Sequence, residues 1–198
     1  MKTRRLLISI YAFVVLGSAV PASAQPRRLF ADGSNVFYGA EGDRNRMVDV
    51  FLPVDVEPPY PVMLMFNGRN GDKSDHARSG LPQLMVDEGY AAVAVRYNSA
   101  LPQAYATELP QAYADALCAL AWTYTQGAAD WGFDPERVAL YGASLGGLVS
   151  AWMAAVDEPA RFMPDCPHTL PNDPPLRGVI ANAGALQALS ESVIQAFE

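Results

Sequence analysis

The stretch Val138 to Met153 decides the reading of this chain; with its flanks, Arg137 to Ala154, it runs RVALYGASLGGLVSAWMA. Val138-Ala139-Leu140-Tyr141 is a short apolar run. Gly142-Ala143-Ser144-Leu145-Gly146-Gly147 follows, and then small and apolar residues suited to a helix. The pattern is strand, sharp turn, helix, with a serine at the apex. Its G-x-S-x-G spacing has a steric reason. The serine of a nucleophile elbow sits in a strained backbone, and Gly142 and Gly146 lack the Cβ atoms that would collide as strand and helix close on each other. Ser144 then stands clear of the sheet, at the positive end of the following helix. The competing reading is a Gly-rich phosphate-binding turn. The Lys of a P-loop and the glycine spacing of a dinucleotide site are both missing.

Upstream, Trp131 to Arg137 reads as a turn feeding the elbow strand. Leu109 to Gln126 is a long Ala-rich amphipathic helix closed by Gly127, with a loop over Tyr97 to Glu108 before it. Val62 to Phe66 and Tyr90 to Val95 are continuous apolar runs, the mark of strands buried on both faces. Between them lie a Gly-rich polar loop, Asn67 to His76, and a helix, Leu81 to Glu88, that stops at Gly89. Pro53 to Pro61 is a Pro-rich turn that cannot continue a strand. Asn35 to Tyr38 and Met47 to Leu52 read as a hairpin. Downstream, Asp157 to Pro175 is irregular, with six prolines. Gly178 to Ala183 is a last strand, and Ala185 to Phe197 starts a helix. The expectation is a single α/β domain over 25–198. It has a mostly parallel sheet, helices on both faces and an N-terminal β-hairpin.

The first 24 residues stand outside that domain. Lys2, Arg4 and Arg5 form a basic head, Leu6 to Val20 is largely apolar, and Ala22-Ser23-Ala24 is an A-x-A cleavage site. This reads as a secretory signal peptide cut after Ala24, and it predicts a secreted or periplasmic protein. A membrane anchor is the alternative, but the run falls short of the ~20 residues a span needs. Losing those three cations from the chain's fourteen leaves eleven against twenty-one acidic residues, a net charge of −10. So acidic an exported chain is a poor candidate for nucleic acid or an anionic membrane surface. Cys118 and Cys166 are its two cysteines. Export permits a disulfide, which would close a loop of about 49 residues, worth about 4 kcal/mol by chain entropy. Two buried free thiols are the alternative.

Four segments carry a family resemblance. They are Val48-Asp49-Val50-Phe51-Leu52-Pro53, Pro59-Tyr60-Pro61, Gly71-Asp72-Lys73-Ser74, and Gly132-Phe133-Asp134-Pro135-Glu136-Arg137-Val138 running into the elbow. Together they resemble the α/β-hydrolase fold. Within it, they resemble the esterase/lipase branch that includes hormone-sensitive-lipase-like and feruloyl- or acetyl-esterase-like enzymes. The resemblance covers Asn35 to Ala183. It implies an exported serine hydrolase of small-molecule carboxylic esters, with Ser144 as nucleophile and no cofactor; no cluster in the sequence has metal-ligand spacing, and neither cysteine belongs to a CxxC pair, so no metal is expected. The family's His-Gly-Gly-Gly oxyanion loop corresponds to Asn67-Gly68-Arg69-Asn70-Gly71, with Asn in place of His. The oxyanion hole implied is the N–H of Leu145 with one from Gly68, Arg69 or Asn70. Secreted members that bridge this helix to this loop also resemble the Cys118 and Cys166 positions.

The family's triad runs Ser, then Asp or Glu, then His along the chain. The strands that would present the acid and the base are expected beyond residue 198, so the chain reads as C-terminally truncated. Of its two histidines, His76 is expected to cap or precede a helix and His168 to sit in the Pro-rich loop, both solvated or structural. Little esterase activity is expected of the chain by itself. An uncovered strand with Val179 and Ile180 predicts association through a sheet edge. The other readings are a degenerate hydrolase domain that binds a ligand or partner, and a peptidase of the prolyl-oligopeptidase type. A dienelactone-hydrolase-like enzyme would want Cys where Ser144 stands.

Overall fold

The structure, a computed structural model of the 198-residue chain, describes residues 30–99, 105–171 and 173–182. Six strands form one sheet: β1 (Gly33–Phe37), β2 (Met47–Phe51), β3 (Tyr60–Phe66), β4 (Ala91–Arg96), β5 (Phe133–Ala143) and β6 (Leu176–Asn182). Their order across the sheet is β1-β2-β4-β3-β5-β6. β1 and β2 are an antiparallel hairpin, and β2 joins β4 antiparallel. β4, β3, β5 and β6 run parallel, in registers such as Leu64 opposite Val93 and Leu140. This is the α/β class that the alternation of apolar runs and helices predicts.

The apolar runs become central strands because both their faces are covered. On one face Val62, Leu64, Val93, Val95, Val138 and Leu140 pack with two helices, α3 (Tyr105–Trp122) and α5 (Leu145–Ala155). On the other, Met63, Met65, Ala92 and Ala94 meet α2 (Leu81–Asp87) through Val86, Leu81 and Met85. The helices therefore lie on both faces. A disulfide joins Cys118, wholly buried on α3, to Cys166 in the Pro-rich stretch. A buried ion pair braces the same region: Arg46 Nε donates to Asp115 at 2.8 Å, and Arg46 also reaches the Asp165 carbonyl at 3.3 Å.

Several boundaries differ from the sequence expectation. α1 (Lys73–Ser79) occupies part of the expected polar loop. Its signal is a capping box: Asp72 accepts from the Ser74 N–H, and Asp75 reaches back to the Asp72 N–H. β3 begins at Tyr60 and includes Pro61, at a point where the register with β5 shifts and the ladder needs no N–H from it. α3 starts four residues before Leu109, with Pro110 inside it. Gly127 does not close that helix. The chain passes through a π-turn over Thr123–Gly127 into α4 (Ala128–Trp131), and Gly132 at φ 67° makes the stop. Gly127 is there for packing, since a Cβ on it would lie 2.7 Å from Phe133. The expected turn at Trp131 to Arg137 is mostly strand, because β5 starts at Phe133. The leader at 1–24 and the helix from Ala185 to Phe197 lie outside the described residues. Among the described residues, no helix is long and apolar enough to cross a membrane.

Candidate active site

The elbow forms where β5 meets α5. Ser144 is the hinge residue, at φ 53° and ψ −113°. That is a costly backbone for a residue with a Cβ, worth on the order of 1–3 kcal/mol, and it is held from both sides. The Ser144 N–H donates to the Asn182 carbonyl at the end of β6 at 2.9 Å, and its own carbonyl accepts from the Leu148 N–H at 3.1 Å. The residue is exposed and its hydroxyl does not cap the helix. The glycines do what the spacing predicts. A Cβ on Gly142 would lie 2.0 Å from the Gly146 carbonyl oxygen, and one on Gly146 would lie 2.2 Å from that of Phe66.

The turn after β3 comes to the same place. Gly68 lies against the elbow, where a Cβ on it would be 3.4 Å from the Cβ of Ser144. The turn is closed by Gly71 N–H to the Gly68 carbonyl at 3.1 Å, with Asn70 at φ 55°, a conformation Asn tolerates. One expectation needs correcting here. The Asn70 N–H donates to the Ser99 carbonyl at 2.9 Å, so it is not an available oxyanion donor. Gly68 and Arg69 have N–H groups that meet no protein acceptor among the described residues. Leu145, at the first position of α5, carries a donor that the helix leaves unpaired.

Neither histidine joins this site. His168 pairs through Nδ1 with Thr125 Oγ1 at 3.2 Å, and burial lowers its pKa against an opposing hydrogen bond with the Tyr38 backbone. His76 lies inside α1, 5% exposed, not ahead of the helix and not solvated. Its ring meets Tyr141 edge-on at 6.1 Å between centroids, and its Nε2 has no partner among the described residues. Burial takes its pKa down to about 4, with Asp75 pulling the other way. The consequence for stability has a definite sign. The unfolded chain takes up this proton near pH 6.5 and the folded one only near 4, so stability falls as pH drops through that window. About 2 kcal/mol should be lost between pH 7 and 5. Urea midpoints at the two pH values, for the wild type and His76→Gln, check this; the variant should show a markedly flatter dependence.

An open groove lined by Met63, Tyr90, Ala139 and Ile180 does not include Ser144. Among the described residues, no group of three His, Cys, Asp or Glu could hold a metal ion.

A serine at the tip of a strained strand-to-helix turn, on a mostly parallel sheet wrapped by helices, defines the α/β-hydrolase architecture. The chain belongs to the BD-FAE family of α/β-hydrolase esterases, whose model matches residues 48–189. Similar folds occur in solved esterases. Esterase B from Lactobacillus rhamnosis superposes with a TM-score of 0.62 at 19% identity, over 83% of this chain and 54% of that one. A thermophilic esterase from the Planctomycetes species Thermogutta terrifontis gives 0.50 at 20% identity, over 66% and 47%. A truncated carbohydrate esterase from gut microbiota gives 0.54 at 19%, over 66% and 45%. The chain thus spans about half the length of each. No curated protein matches it.

Proposed function

We propose that the chain carries the nucleophile and the oxyanion hole of an exported serine hydrolase acting on small-molecule carboxylic esters. The observation that carries this is Ser144: exposed, at φ 53°, with the Gly68 turn packed against it. In the reaction, Ser144 Oγ attacks the ester carbonyl and loses its proton to a base. The N–H of Leu145 and that of Gly68 or Arg69 hold the oxyanion. The alkoxide then leaves with a proton, and water releases the acyl group from Ser144. Serine needs a base within hydrogen-bond reach, and both histidines of the sequence are placed elsewhere. We assign the His and the acid to polypeptide beyond residue 198. Sites that lose their triad drop on the order of a millionfold in turnover and retain ~10³–10⁴ over water. The leader-like first 24 residues and the Cys118–Cys166 bridge favour a secreted or periplasmic location.

That neither histidine is hydrogen-bonded to Ser144 among the described residues favours a second reading, a degenerate hydrolase domain that binds a ligand or partner. A reactive phosphonate ester separates the two. On the ester-hydrolase reading, it should slowly and stoichiometrically label the Ser144 peptide, as read by mass spectrometry, and Ser144→Ala should abolish the label. Rapid hydrolysis of p-nitrophenyl acetate that Ser144→Ala removes would place the base within this chain. No label and no Ser144-dependent turnover would leave the binding reading.

A further inference from the structure

The turn beside Ser144 is gripped at both ends by the chain leaving β4. At its start, the Asn67 carbonyl accepts from the Tyr97 hydroxyl at 2.6 Å. Both residues are buried, and the Tyr97 ring is seated edge-on against Phe66 at 5.6 Å between centroids. At its end, the Ser99 hydroxyl donates to the Gly71 carbonyl at 2.8 Å, and the Ser99 carbonyl accepts from the Asn70 N–H at 2.9 Å. Inside the turn, Asn67 Nδ2 donates to the Gly68 carbonyl at 2.8 Å. These bonds engage the Asn67 carbonyl and side-chain amide, the Asn70 N–H and the Gly71 carbonyl, and no acceptor among the described residues meets the N–H groups of Gly68 and Arg69.

We infer that Tyr97 and Ser99 are positioning residues for the oxyanion donors, holding the Asn67–Gly71 turn against the elbow. The inference rests on the reading of Ser144 as nucleophile. Its physical reason is the sequence of the turn. Two of its five residues are glycines, and Arg69 and Asn70 are exposed, so local packing gives it little stiffness. Oxyanion donors work only within about 2.7–3.1 Å of the developing charge. The stiffness has to come from a neighbour, and the segment after β4 makes these bonds from buried side chains. Burial, with a smaller push from Tyr113, raises the Tyr97 phenol above its ordinary pKa. It therefore remains a donor at any pH used to assay ester hydrolysis.

Tyr97→Phe and Ser99→Ala each remove one hydroxyl and keep the packing. Two measurements on the full chain test them. Amide hydrogen exchange at Asn70 and Gly71 should speed up at least tenfold or so in each variant, with exchange at Leu64 in β3 unchanged. The maximal rate at which a reactive phosphonate ester labels Ser144 should fall about a hundredfold, with the half-saturating phosphonate concentration nearly unchanged. Unchanged exchange at the turn in both variants would overturn the brace, as would faster exchange with the labelling rate intact. If Ser144 of the wild type takes no phosphonate label, that result counts against the proposed function, and the exchange measurement alone decides the brace.

Discussion

Gly146→Ala is expected to destroy the elbow, at a cost of about 4 kcal/mol or more. The added methyl would lie 2.2 Å from the Phe66 carbonyl oxygen, 2.6 Å from its carbon and 2.7 Å from the Asn67 oxygen. All three are backbone atoms. They cannot swing aside as a side-chain end would. Phe66 is also the last residue of β3, a strand paired on both sides, with Phe66 in register opposite Val95 of β4 and Gly142 of β5. Relief would require α5 to lift off the sheet, exposing Leu148, Val149 and Met153 from the core. Gly178→Ala is the matched control, since nothing lies within 4 Å of its Cβ position. Urea unfolding should leave Gly178→Ala close to wild type, within about 0.5 kcal/mol, and strip most of the stability from Gly146→Ala. Equal midpoints for the two would mean that the close approach of helix and strand is not a constraint in solution.

Removing the bridge by Cys118→Ala with Cys166→Ala should lower stability by about 4 kcal/mol, most of it through the freer unfolded chain. The cysteines are 48 residues apart, so the bridge closes a long loop that contains β5, the elbow and α5. Typical domains are stable by only about 5–15 kcal/mol, so the loss is a large fraction. The Arg46 contact to Asp165 should keep the Pro-rich stretch near α3 even without the bridge. The expected result is therefore a lower unfolding midpoint with little change in far-UV circular dichroism. A double variant as stable as the wild type would contradict this. Reductant should lower the midpoint of the wild type and leave that of the variant where it is.

What local chemistry writes into a sequence was readable here. The elbow was legible because its glycines answer a clash between atoms four residues apart, Gly142 Cβ and the Gly146 oxygen. The central strands were legible because burial on two faces forces unbroken apolar runs such as Val62 to Phe66. The capping box of α1 is written in Asp72 and Asp75, but the Gly and polar residues around it suggest a loop and hide the helix that follows.

Other features depend on atoms that meet only after folding. Pro110 inside α3, the π-turn at Thr123–Gly127 and the strand character of Phe133 to Arg137 are set by packing against the sheet, which overrides local preference. Asp115 looks like any polar residue of an amphipathic helix. It becomes the partner of Arg46, Asn98 and Gln111 because the hairpin and the β4 exit fold over it. Asn70 was a plausible oxyanion donor until folding set its N–H on the Ser99 carbonyl. The sequence by itself determined the sheet, the elbow and the place of Ser144, because those rest on side-chain size and apolarity along the chain. Only the tertiary structure decided which N–H group beside Ser144 is already bonded and that the two histidines pack against Tyr141 and Thr125. Hydrogen-bond partners far apart in sequence are chosen by the fold, and no local pattern records them.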